Sequence, residues 1–176
     1  MNFYHIFNHT LGNENLFRDH GNYEFFLLKV KQYFLNSDVI AFCLMPNHFH
    51  ILISSKEALD SITKQSTNLT ISYAKSYNKL FHRKGGLFLR ACKIKQIDNE
   101  LLISNVIMYI HRNPIHHGFE SEYNSWMYSS YNDICNGNYE YISIGKTLSY
   151  FGDMTGFKRK HELYKDKKMC MDEEFE

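Results

Sequence analysis

Residues at the start of the chain alternate in the manner of a strand: Phe3, His5, Phe7 and His9 fall on one face of an extended segment, with Tyr4, Ile6 and Asn8 on the other. The pattern predicts a first strand over 3–9, broken by Gly12-Asn13-Glu14-Asn15. Over 23–34 the spacing changes to that of one helical face, with Tyr23, Phe26, Leu27, Val30 and Phe34, and Asn36-Ser37-Asp38 ends it. Two short runs follow, Val39 to Met45 and His48 to Ser54, separated by Pro46-Asn47. Proline pre-sets its φ near about −65° and asparagine tolerates a left-handed conformation, so these runs read as a β-hairpin with His48 opening the returning strand. A polar segment then runs to Leu80 with Leu69, Tyr73, Tyr77 and Leu80 at helical spacing, and Gly85-Gly86 is its expected stop. Leu87 to Ile94 reads as a fourth strand.

The order β-α-β-β-α-β predicts an α+β, ferredoxin-like antiparallel sheet with helices on one face, the other being left for a ligand. A third helix is expected from Asp98 or Asn99, either of which can cap it, to Pro114, which should end it. Leu102, Ile103, Val106, Ile107 and Ile110 form its apolar stripe, and Tyr109 and Asn113 lie one turn apart at the stripe's edge. Beyond it the chain is rich in turns and aromatic residues. Its end, 158–176, reads as a short helix and an acidic terminus. The expected organisation is one domain over 1–133 with 134–176 as an extension, not a second domain.

A chain of 176 residues with 44% hydrophobic content can bury a real core. The net charge of +1 does not by itself mark a polyanion partner. Between Ser72 and His117, however, eight lysines and arginines stand against Asp98 and Glu100. That stretch is either a phosphate-facing surface or a solvated helical face. Cys43, Cys92, Cys135 and Cys170 are scattered, as in reduced thiols. The first residues lack the regions of a signal peptide and no apolar run reaches the roughly 20 residues of a membrane span, so a cytoplasmic protein without a membrane partner is expected.

The chemistry concentrates in the hairpin. Because side chains alternate along a strand, His48, His50 and Leu52 share one face and Phe49, Ile51 and Ile53 the other. Paired imidazoles beside each other suit a divalent metal, although a strand histidine is more often a hydrogen-bonded polar residue. Two of them in a strongly apolar strand are expensive to bury without partners. Tyr109 and Asn113 offer a hydroxyl and an amide oxygen together, against the competing reading of Tyr109 as a core filler.

Taken together, Met45-Pro-Asn-His-Phe-His-Ile-Leu52, Tyr109-Ile-His-Arg-Asn-Pro114 and Trp126-Met-Tyr-Ser-Ser-Tyr131 resemble the REP-associated tyrosine transposases, single-strand DNA transposases of the HUH nuclease superfamily. Weaker matches are Tyr4-His5-Ile6, Tyr77-Asn78 and Gly86-Leu87-Phe88, so the resemblance spans about residues 3–133. It implies an enzyme that cleaves and rejoins single-stranded DNA beside hairpins through a 5′-phosphotyrosine intermediate. Tyr109 takes the place of the nucleophile, and His48, His50 and Asn113 those of the ligands to Mg²⁺ or Mn²⁺. The chain departs from the pattern at Phe7-Asn-His-Thr-Leu-Gly12, where an arginine often follows the first strand. Within the basic stretch Arg90, Lys93, Lys95 and Arg112 are candidate phosphate contacts, and Tyr73, Tyr77 and Trp126 are either base-stacking rings or core. His116 and His117 are expected at the surface. On oligomeric state the resemblance points both ways, to dimers through the insertion-sequence relatives and to monomers through the REP-associated branch, and a monomer is slightly favoured over a homodimer. The competing readings are a domesticated hairpin-binding protein without cleavage, and a hydrolase in which metal-bound water replaces Tyr109.

Overall fold

The structure is a computed structural model, and it describes residues 1–12 and 14–165. A four-stranded antiparallel sheet contains β1 (Asn2–His9), β2 (Ser37–Met45), β3 (His48–Ser55) and β4 (Lys93–Ile97) in the spatial order β2-β3-β1-β4. The helices are α1 (His20–Tyr33), α2 (Leu59–Leu80), α3 (Ile103–His116), α4 (Ser130–Asn136), α5 (Ile144–Ser149) and α6 (Met154–Lys165). The fold is therefore α+β with the ferredoxin-like strand order. No helix among the described residues is long and apolar enough to cross a membrane.

Strand alternation sorts the core into two clusters. Tyr4, Ile6, Phe42, Leu44, Phe49, Ile51 and Ile53 pack under α1 and α2, which supply Phe26, Leu27, Val30, Leu69, Tyr73 and Tyr77. Asp19 caps α1 by accepting from the backbone N–H of Asn22 at 2.9 Å. On the opposite face, Ala41, Cys43, Met45 and Leu52 meet Ile103, Val106, Ile107 and Ile110 of α3, with Ile134, Ile144, Phe151 and Phe157 packed behind them. This second face is thus free only in part, since α3 and the later helices cover its β2 side. Residues 134–165, expected as an extension, lie against α3 and β2.

Three boundaries differ from the sequence pattern. The fourth strand is not Leu87–Ile94 but Lys93–Ile97, because Leu87 to Leu89 instead bridge the end of β1: Leu11 N–H donates to Leu87 O and Leu89 N–H to His9 O, both near 3 Å. Pro114 does not end α3. It lacks the N–H that would reach back one turn, yet the helix runs on to His116 and closes where Gly118 takes φ +71°. Helix α2 stops at Leu80, ahead of the two glycines, where His82 adopts φ +50°. Asn99, not Asp98, caps the entry to α3, accepting from Leu101 N–H at 3.0 Å. The acidic terminus Asp172–Glu176 and Cys170 lie outside the described residues.

Candidate active site

His48 and His50 project from β3 toward α3, while Phe49 and Ile51 anchor the strand from its other face. The hairpin turn is fixed from outside: Leu16 and Phe17 N–H groups donate to Pro46 O and Thr10 N–H to Asn47 O. Helix α3 then brings Asn113 Oδ1 to 3.2 Å from His48 Nε2, and sets the Tyr109 ring edge-on to His50 with centroids 5.6 Å apart. The His48 and His50 rings lie 5.4 Å apart with planes at 88°. All four side chains are buried. The structure thus gathers every residue that the resemblance places in the reaction, from segments separated by about sixty residues of chain.

The proton inventory at His48 is informative. Its Nδ1 lies 2.8 Å from Asn47 Oδ1 and its Nε2 faces Asn113 Oδ1. The Asn113 amide is oriented by its own Nδ2, which donates to Tyr109 O at 3.1 Å. Both ring nitrogens therefore face oxygen acceptors, but a neutral imidazole carries only one proton. Burial, reinforced by His9 and His117, holds the His48 pKa at about 3, so a second proton is not available at neutral pH. With the proton on Nδ1, a bare Nε2 and a bare amide oxygen confront each other at 3.2 Å. Two ligands of one octahedral ion bound at about 2.1 Å stand about 3 Å apart, so the donor set fits a divalent cation. Among the described residues no group of three or more His, Cys, Asp or Glu side chains is arranged to hold a metal.

Strand β1 borders the site with residues that sequence reasoning could not place. His9 pairs with His48 across the strands and stacks on it at 4.8 Å, and Phe7 pairs with His50 and stacks at 5.5 Å. His5 Nε2 lies 3.0 Å from His50 Nδ1. His116 and His117 are exposed, as expected, and the His117 ring lies 4.9 Å from that of His48. The sequence signal for His5, Phe7 and His9 was the period-two run Phe3-His5-Phe7-His9, whose partner strand the pattern does not reveal.

The candidate phosphate contacts divide. Lys93 pairs with Phe7 and Lys95 with His5 in the register, so both stand on the site's face toward the open side of the sheet, with Lys93 Nζ 5.2 Å from the Phe7 ring. Arg90 is exposed on the loop before β4, and its carbonyl accepts from Asn8 Nδ2 at 2.9 Å. Arg112 turns to α6: its Nε donates to Lys165 O at 3.2 Å and its guanidinium lies over Tyr164. Tyr73 and Tyr77 are core residues whose hydroxyls donate to Leu16 O and Asn15 O. Trp126 is also spent on structure, donating its indole N–H to Leu44 O at 3.0 Å.

No family model matches the chain. A Haemophilus influenzae protein provisionally named a REP-associated tyrosine transposase is 24% identical over 103 residues, covering 53% of this chain. The match takes in 58% of that protein's length, less than two thirds of it. A solved structure of a REP-associated tyrosine transposase bound to a REP hairpin superposes with a TM-score of 0.65 at 16% identity, over 78% of this chain and 82% of that one. In sequence and in fold the chain is similar to these proteins.

Proposed function

We propose that the chain is a REP-associated tyrosine transposase, a metal-dependent enzyme that cuts and rejoins single-stranded DNA beside a hairpin through Tyr109. The observation that carries this reading is the convergence of Tyr109, His48, His50 and Asn113 at the junction of β3 and α3, with His48 Nε2 3.2 Å from Asn113 Oδ1. The named relative and the hairpin-bound structure support the substrate class.

Tyr109 sits in the middle of a helix packed against the sheet, so its ring is held and its oxygen can be presented to a phosphodiester in one orientation. Its phenolic oxygen attacks phosphorus, the bond to the 3′-oxygen breaks, and that oxygen leaves as a 3′-hydroxyl after taking a proton; the 5′-phosphate stays on the tyrosine. The bond that forms is a phosphodiester like the bond that breaks, so the 3′-hydroxyl of another strand can reverse the step. His48 Nε2, His50 and Asn113 Oδ1 would hold Mg²⁺ or Mn²⁺, which when bound would supply charge neutralisation at the phosphate. Lys93 and Lys95 add positive charge along the same face for the DNA backbone.

The test uses 5′-flanking hairpin oligonucleotides from the gene's own neighbourhood, labelled downstream of the cut. Wild type with Mn²⁺ should give a labelled protein band on a denaturing gel, which Tyr109→Phe or a chelator abolishes, a loss of at least a thousandfold. Cleavage that survives Tyr109→Phe without an adduct would replace this reading with a hydrolase. Tight binding without cleavage would identify a hairpin-binding protein.

A further inference from the structure

His5 has no role in the chemistry above, yet it is fully buried in the sheet beside the site and shares one hydrogen bond with a candidate ligand. We propose that His5 is a positioning residue: its Nε2 accepts from His50 Nδ1–H and so holds His50 in the tautomer whose Nε2 is bare and ready to ligate. The inference rests on the metal reading of the same site.

His50 Nδ1 is committed to His5 Nε2 at 3.0 Å, which leaves His50 Nε2 as its one nitrogen able to meet a cation. A single proton lies between the two rings. If His5 donated it, His50 would carry its own proton on Nε2 and could not ligate. If His50 donates it, Nε2 is free. In that arrangement the remaining proton of His5 sits on Nδ1, and this atom is buried with no hydrogen-bond partner. An unpaired buried N–H is a cost that an apolar side chain at position 5 would not carry. Its surroundings are in part apolar already: Phe7 is stacked against both His5 and His50, at 4.8 and 5.5 Å. A sheet built for stability alone would continue that apolar packing. Metal-bound imidazoles, by contrast, routinely have their other nitrogen fixed by a second group.

Placement supports the same role. The His5 and His50 rings lie nearly parallel, 5.1 Å apart with planes at 22°, and His5 also meets the Tyr109 ring edge-on at 6.0 Å. The residue therefore touches both the candidate ligand and the candidate nucleophile from β1, one of the two interior strands of the sheet.

The experiment compares full-length wild type, His5→Phe and His5→Gln by two readouts. Mn²⁺ affinity is measured by electron paramagnetic resonance of the free ion, and the tautomer of His50 by ¹⁵N spectra of histidine-labelled, metal-free protein, assigned with His50→Gln. Wild type should show a protonated Nδ1 and a bare Nε2 on His50. His5→Phe should lose that single tautomer and bind Mn²⁺ about 10–100-fold more weakly, whereas His5→Gln, whose amide oxygen reaches the position of Nε2, should restore both. Should His5→Phe fail to fold, His5→Asn, with an amide too short to reach His50, takes its place. The proposal is overturned if His50 carries its proton on Nε2 in wild type, or if removing the acceptor changes neither tautomer nor affinity. Wild type that folds but takes up no Mn²⁺ refutes the metal reading instead, and the tautomer comparison still decides the part played by His5.

Discussion

At the scale of single residues, the site carries a local mismatch that folding alone would not select. His48 has an oxygen at each ring nitrogen, Asn47 Oδ1 at 2.8 Å and Asn113 Oδ1 at 3.2 Å, but one proton when neutral, so one of the two contacts sets acceptor against acceptor, and the bond from Asn113 Nδ2 to Tyr109 O keeps that amide from turning. Such an arrangement lowers stability in the metal-free protein and gains it back when a cation sits between the two atoms. Asn113→Leu, which conserves volume and removes the mismatch, should therefore hold or raise the thermal midpoint of the metal-free protein while weakening Mn²⁺ binding at least about tenfold. Paired thermal melts and metal titrations check it; a large loss of stability with unchanged Mn²⁺ affinity would make Asn113 an ordinary structural amide. That these four residues would lie together was an expectation of the resemblance, to which the turn before His48-Phe49-His50 and the one-turn spacing of Tyr109 and Asn113 added only local support. Their buttresses were not readable, since His5, His9 and His117 reach the site only through strand pairing and a helix end that no local pattern specifies.

At the scale of elements, the strand that leads into the hairpin is an edge strand, and the chain beyond α3 closes that edge. Trp126 Nε1 and Tyr128 O serve Leu44, the Ser130 hydroxyl serves Phe42, Ser143 N–H donates to Val39 O and Thr147 Oγ1 to Ile40 O. The motif Trp126-Met-Tyr-Ser-Ser-Tyr131 is thus a clamp on β2, which blocks pairing with another chain and steadies the approach to His48. Ser130 is its centre. His161 Nδ1–H donates to Phe157 O, so His161 Nε2 must accept from His111 Nδ1–H, and His111 Nε2 must accept the Ser130 hydroxyl proton at 2.7 Å. Ser130 meanwhile accepts from Phe42 N–H at 2.8 Å. Ser130→Ala leaves a buried N–H and a buried imidazole nitrogen unpaired and should cost about 2–4 kcal/mol by chemical denaturation. A cost near zero would show that water or a rearranged ring replaces the hydroxyl. This relay joins α6, α3 and β2 across separations that no periodicity reports. The fourth strand was misplaced for a related reason: Lys93-Ile-Lys-Gln-Ile97 is a mostly exposed edge with little alternation to detect, while the more apolar Leu87-Phe-Leu89 bridges a loop.

At the scale of the whole molecule, these networks make an unusual demand on pH. His5, His48, His50, His111 and His161 are all buried. Burial, with Lys95 acting in addition on His5, holds His5 and His48 to about 3; burial holds His161 to about 4, and His50 and His111 are pushed well below the ordinary value by burial first and neighbouring imidazoles second. The unfolded chain protonates histidine near about 6.5, so below that pH it takes up protons that the folded protein refuses. Stability is complete above about 6.5 and is lost as pH falls from there toward the folded-state values. At pH 5 each of His5, His48 and His161 should cost about 2 kcal/mol, and His50 and His111 act in the same direction. The sum is comparable with the entire folding free energy of a domain, about 5–15 kcal/mol. The protein should therefore unfold cooperatively on acidification between about pH 6 and 5, where carboxylates are still largely ionised. Circular dichroism across that range, in the presence of a chelator, measures it directly, and a denaturation midpoint unchanged from pH 7.5 to 5 would mean that the buried imidazoles are protonated in the native state. If His48 and His50 hold a metal, added Mn²⁺ binds only their neutral forms and should move the acid midpoint lower, while the same addition to His48→Ala should leave it where it was.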